Sequence, residues 1–181
     1  MREFGNADCS RPDTSQASFI APNATVIGDV RIGPEVNIWY QAVVRGDCSP
    51  VILGRGTNIQ DGCVLHGDPG EPTVLGEWVT VGHRAIIHSA EIGDGTMVGM
   101  GAIVLNGVRV GKGCILGAGA VVTKSIPDYS LAIGIPAKVI REVTAQEAAD
   151  LITHAQHYVA LARQHARQVL EGDGSPKMGL R

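Results

Sequence analysis

The stretch IGDGTMVGMGAIVLNGVRVGKGCILGAGAVV (Ile92–Val122) places an aliphatic residue at every sixth position: Ile92, Val98, Val104, Val110, Leu116 and Val122. Four positions after several of these stands a small or β-branched residue, as at Thr96, Val108 and Ala120. The same period extends upstream. It runs through Leu75, Val81 and Ile87, with one residue dropped before Ile92, and through Leu53, Ile59 and Leu65, with the insertion GDPGEPTV (67–74) between the two groups. A three-residue slip around Pro50 separates these from Ile20, Val26, Ile32, Ile38 and Val44. A short unit that cannot bury its own apolar side chain must stack on its neighbours, so a sustained six-residue period predicts an all-β, single-stranded parallel β-helix.

Composition agrees with a thin, repetitive core. The 181-residue chain has 24 glycines and 4% aromatic residues, fewer large rings than a two-layer domain of this size usually carries. The formal net charge of −3 and the absence of a basic block argue against nucleic acid and anionic membrane as partners. The N-terminal MREFGNADCSRPDTSQ lacks the apolar core of a signal peptide, and no apolar run spans a bilayer, so the expected location is the cytoplasm.

The expected organisation is a flexible arm (1–17), the β-helix (18–143), one α-helix (144–171) and a frayed tail (172–181). Thr144 and Glu147 form a capping box at the helix start. Ala148, Leu151, Ile152, Ala155, Tyr158, Val159 and Ala162 follow at helical spacing and predict an apolar stripe against the prism or a neighbouring subunit. His154, His157, Leu161 and His165 read as the solvated face. Cys48, Cys63 and Cys114 stand at the small fifth position of hexads and read as packed core thiols.

Hexads of this type resemble those of the left-handed parallel β-helix, in which three hexads make one triangular coil. The hexads at Val44, Leu65 and Ile87 then lie on one face in successive coils. Arg45, His66 and His88, each one residue further on, form a column. His83 belongs to another corner, where Asp61 stands one coil earlier. Three neutral imidazoles complete the protein shell of a catalytic zinc with one open position. Adjacent coils, about 4.8 Å apart, let His66 and His88 converge on one ion. A prism corner is several extended residues away from that column, so His83 must come from a second chain. Repeated head to tail, that contact predicts a homotrimer with an intersubunit metal site.

This constellation is similar to that of the γ-class carbonic anhydrases. The resemblance rests on VVRGD (43–47), NIQDGCVLH (58–66), VGHRAIIH (81–88) and the closing GIPAKVI. It implies metal-dependent reversible hydration of carbon dioxide to bicarbonate. His66, His83 and His88 would be ligands of zinc, with ferrous iron or cobalt as alternatives. Arg45 and Asp47 match the family's interface arginine and aspartate; Asn58, Gln60 and Asp61 match its polar residues around the metal-bound solvent. Cys48 stands where the best-studied active form has glutamate, and Glu71 in the short insertion does not align with that form's proton-carrying glutamate. A γ-class scaffold of low or no turnover is therefore an alternative. A hexapeptide-repeat acyltransferase is another, although such enzymes use one interface histidine and no stacked pair.

Overall fold

The computed structural model describes residues 10–171; the expected tail and the first nine residues of the expected arm lie outside them. Strands of two to eleven residues wind as stacked coils, and the hexad residues form three inward columns. On the first face Ile20, Ile38, Ile59, Val81, Val98 and Leu116 pair in parallel register, closed by Ala132. On the second, Val26, Val44, Leu65, Ile87, Val104 and Val122 pair likewise. The third stacks Ile32, Leu53, Leu75, Ile92, Val110 and Ile126. The three columns meet in one continuous apolar core with the small fifth-position residues. The expected parallel β-helix is thus present, and its faces are those that the period assigns.

The slip around Pro50 has a structural result. Strand Val43–Leu53 runs unbroken from the second face to the third, alongside Thr25–Ile32. The register shifts there, so that Val30 pairs with Val51, which is fully buried. Val51 therefore takes the inward position expected for Cys48. Cys63 and Cys114 are core thiols as expected, but Cys48 is only half-buried and lies outside the core cluster. The three added residues push it outward. Elsewhere coils approach closely: a Cβ at Gly54 would meet the backbone of Gly76 at 2.4 Å, so only glycine fits there.

After the last coil the chain returns as an antiparallel hairpin, Ser130–Gly134 with Ala137–Glu142, and enters a helix at Ala145–Glu171. The capping box forms: Thr144 N–H donates to Glu147 Oε2 (2.9 Å), and Glu147 N–H donates to Thr144 Oγ1 (3.2 Å). The helix lies across the first face, with Ile152 near Gly95 and Ala162 against Phe19, Ala21 and Trp39. His165 departs from the solvated role read from the sequence. Its ring stands 4.9 Å from that of Trp39, and its Nδ1 lies 3.2 Å from Tyr40 Oη. The rings of Phe19 and Trp39 point outward from the prism on the first coils and need a cover, and the last turns of the helix supply it. Of the expected arm, residues 10–17 follow the first coil: Gly28 N–H donates to Ser10 C=O and Glu35 N–H to Gln16 C=O. No helix among the described residues is long and apolar enough to cross a membrane.

Candidate metal centre

His66 and His88 are paired residues on neighbouring strands of the second face, so their side chains leave the prism at the same corner. His66 Nδ1 and His88 Nε2 are 3.1 Å apart. Two nitrogens bound to one tetrahedral ion at about 2.1 Å stand roughly 3.4 Å apart, so the pair is near ligand geometry.

What holds the two rings explains which nitrogens face each other. His66 Nε2 lies 3.0 Å from Asp47 Oδ1, and the other carboxylate oxygen of Asp47 accepts from Arg45. His88 Nδ1 lies 2.9 Å from Asn106 Oδ1. The Asn106 amide is oriented in turn, because its Nδ2 donates to Asp68 Oδ2 at 2.6 Å. Both oxygens are acceptors, so each ring places its proton on the nitrogen facing them. The two nitrogens left, His66 Nδ1 and His88 Nε2, both carry lone pairs and point at one another. Such a contact is unfavourable unless a cation or a shared proton sits between them. The donor set fits a divalent metal for that reason, and anchored second nitrogens are the usual support of ligating histidines.

Electrostatics favour the same state. Burial pushes the Asp47 carboxyl up, but hydrogen bonds from Arg45 and His66 outweigh it and hold it below its ordinary value. Burial is the main cause that lowers His66 below its ordinary value, against the opposing hydrogen bond to Asp47. A ring kept neutral retains the lone pair a ligand needs.

The segment between the two histidines is clamped. Thr73 Oγ1 donates to the His66 carbonyl and accepts from Ser89 N–H, while Asp68 N–H donates to Ser89 Oγ. The inserted loop therefore cannot shift His66 against His88 freely.

His83 sits at the other corner, with Nδ1 2.8 Å from Asp61 Oδ2, which leaves Nε2 for a ligand. Gln60 Oε1 accepts from the His83 backbone N–H, its Nε2 donates to Asn58 Oδ1, and Asn58 Nδ2 donates to Thr80 Oγ1. Asn58, Gln60 and Asp61 thus gather around His83, while Arg45 and Asp47 gather around His66. Within one chain the two groups stay apart. Among the described residues, the only three metal-binding side chains whose ligand atoms all lie within 4.8 Å of one another are Asp47, Cys48 and His66.

Asn106 is absent from the residues read out of the sequence. It opens an Asn-Gly corner and reads there as a turn former; only the stacking of coils brings it beside His88.

Residues 89–124 match the family model described as bacterial transferase hexapeptide (six repeats). A solved structure titled as a putative acetyltransferase from Bacillus cereus superposes with a TM-score of 0.81 at 45% identity, covering 84% of this chain and 89% of that one. A protein of Methanocaldococcus jannaschii named probable carbonic anhydrase is 47% identical over 145 residues, 79% of this chain and 91% of the relative. The mitochondrial gamma carbonic anhydrase 1 of Arabidopsis thaliana is 41% identical over 175 residues, 92% of this chain and 64% of the relative. The acetyltransferase title shares the prism. The two relatives from Methanocaldococcus jannaschii and Arabidopsis thaliana, matched over 79% and 92% of the chain, carry the carbonic anhydrase name, and the stacked, anchored histidine pair is the feature that an acyl-transfer site does not need. The chain belongs to the γ-class carbonic anhydrase family.

Proposed function

We propose that the protein catalyses reversible hydration of carbon dioxide at a divalent metal shared between two chains of a homotrimer, with zinc, ferrous iron or cobalt as the ion. His66 and His88 of one chain and His83 of the next would hold it. One observation carries this reading: each of the three imidazoles has one ring nitrogen tied to an acceptor side chain, Asp47, Asn106 or Asp61, which leaves the other nitrogen for a ligand. A divalent cation in such a shell lowers the pKa of a coordinated water toward about 7 and so supplies hydroxide at neutral pH.

The chain's own residues do the rest. Asp47 keeps the His66 ring in one tautomer, and Arg45 keeps Asp47 ionised. The Arg45 guanidinium, partly exposed beside His66, would hold the bicarbonate product. Asn58 and Gln60 fix the backbone at His83. The second amide hydrogen of Gln60 would orient the oxygen nucleophile. The association itself has support in exposed apolar side chains one coil above each half-site. Met100 follows the His83 column at 58% exposure, and Leu105 follows His88 at 41%. Large apolar residues on two edges flanking the ligands suit a contact between chains.

Elemental analysis of protein exchanged into chelator-buffered solution tests the shell. About one tightly held ion per chain is expected, and it should be lost in His66→Ala, His83→Ala and His88→Ala. Full retention in any of these removes that residue. Co-assembled His66→Ala and His83→Ala chains should regain ions, because some interfaces then join an intact pair to an intact His83. A chain that stays monomeric in sedimentation and still holds about one ion in the same chelator-buffered solution would overturn the shared site.

A further inference from the structure

The outward displacement of Cys48 brings a thiol close to Asp47 and His66. Asp47 Oδ1 lies 3.0 Å from His66 Nε2, and the ligand atoms of Asp47, Cys48 and His66 all fall within 4.8 Å of one another. All three belong to one chain. Carboxylate, thiolate and imidazole together are a ligand set for zinc-like cations, with a fourth position left to water. Arg45 engages Asp47 through the other oxygen, Oδ2, and also reaches Cys48, so a cation entering the site displaces the guanidinium from the thiol, while Oδ1 faces His66. The pocket is sheltered, with side chains 12% exposed at His66 and 15% at Asp47.

We infer that Asp47, Cys48 and His66 form a second, single-chain site for a thiophilic divalent cation, which exchanges with the shared three-histidine site. Its formation balances simply. The Cys48 S–H bond breaks, its proton passes to the buffer, and the sulfur lone pair forms the bond to the cation. The proton on His66 Nε2 moves to Nδ1, which frees the Nε2 lone pair, and Asp47 Oδ1 completes the set.

That proton shift is the physical link between the sites. A neutral imidazole offers one lone pair. When Nε2 binds the cation, Nδ1 carries the proton and cannot ligate beside His88; when Nδ1 serves the shared site, Nε2 donates to Asp47. Occupation of one position excludes the other. A chain without a partner lacks the third histidine and has its most complete ligand set at Cys48. Arrival of the partner's histidine draws the ion across the ring of His66. Cys48 thus gives an unassembled chain a place to hold metal before the ring closes. This needs no histidine from a second chain, so it can fail or hold independently of the shared site.

Cobalt(II) with the full chain tests this, because thiolate ligation gives an intense near-ultraviolet sulfur-to-cobalt band that histidine ligation lacks. His83→Ala and His88→Ala chains in excess cobalt, without chelator, should develop the band. Adding Cys48→Ser to either, or His66→Ala, should abolish it. Wild-type protein with equimolar cobalt should show the band weakly or not at all and gain it as cobalt is raised only at the expense of the histidine-bound form. Cys48→Ser is nearly isosteric at a half-buried position, and circular dichroism checks that each variant keeps its fold. No band in His83→Ala at saturating cobalt would overturn the inference. A band that survives Cys48→Ser assigns the sulfur elsewhere and overturns it too. A band present only when His83 is intact would make the thiol a ligand of the shared ion, and the single-chain site would be wrong.

Discussion

Replacing Asn106 by alanine isolates the part played by a residue that touches no ion. Its Oδ1 accepts the His88 Nδ1 proton at 2.9 Å, and its Nδ2 is fixed by Asp68 at 2.6 Å. Without it His88 is free to place its proton on either nitrogen and to rotate about its side-chain bonds. The lost hydrogen bond is worth about 0.5–1.5 kcal/mol, or roughly a 2- to 13-fold change in a dissociation constant. The partners of ligating histidines are typically worth 10–100-fold in metal affinity. Because the contact is exposed, the lower end applies, and Asn106→Ala should weaken zinc binding about tenfold. Asp68→Ala, one step further out, should cost about threefold or less. Global stability should fall by less than about 1 kcal/mol, since no core side chain is touched. Competition against a chromophoric chelator reads the affinity, and urea unfolding of the metal-free chain reads the stability. A dissociation constant within twofold of wild type would refute the claim that Asn106 sets the tautomer of His88. A large loss of stability with unchanged affinity would make the residue structural.

Three further expectations follow. Trp39, 4% exposed and packed on Phe19, Tyr158 and His165, should cost about 3–5 kcal/mol as Trp39→Ala; a urea-measured loss under about 1 kcal/mol would mean that the helix does not depend on this cluster. Metal-free protein should lose stability as pH falls below the ordinary histidine value of 6.5, because the unfolded His66 takes up a proton before the folded one does. Asp47 adds a second loss nearer acid: its contribution is complete above 3.8 and disappears as pH falls through its lowered folded value. His66→Gln should flatten the first of these in a urea-midpoint profile, and an unchanged slope would assign it elsewhere. Hydration activity should be weak in dilute buffer and rise with a small imidazole buffer. Cys48, raised by burial and then by Asp47, stays a neutral thiol in the absence of metal, and Asp68 is engaged by Asn106. Placed acid–base groups are typically worth 10²–10⁴-fold, so fast turnover independent of buffer, measured by stopped-flow, would show that another group carries the proton.

The period of six determined most of the architecture by itself. Side chains at Ile20, Ile38 and Ile59, or at Leu65 and Ile87, must point inward if any of the chain is to bury apolar surface. One choice of register therefore satisfies all coils together, and the His66–His88 and Asp61–His83 stacks come with it. The capping box at Thr144 was legible for the same kind of reason, since its donors and acceptors lie within one turn. The tertiary structure decided whatever depends on a break in the period or on contacts between distant segments. Three extra residues around Pro50 could bulge inward or outward, and only packing against Val30 selects Val51 for the core and turns Cys48 toward His66. Asn106 and Asp68 are 38 residues apart, and their meeting beside His88 depends on how two loops at one corner stack. The amphipathic pattern of the helix required burial without naming the face, and the outward-facing rings of Phe19 and Trp39, buried by the helix, settled which face it covers and why His165 is drawn in.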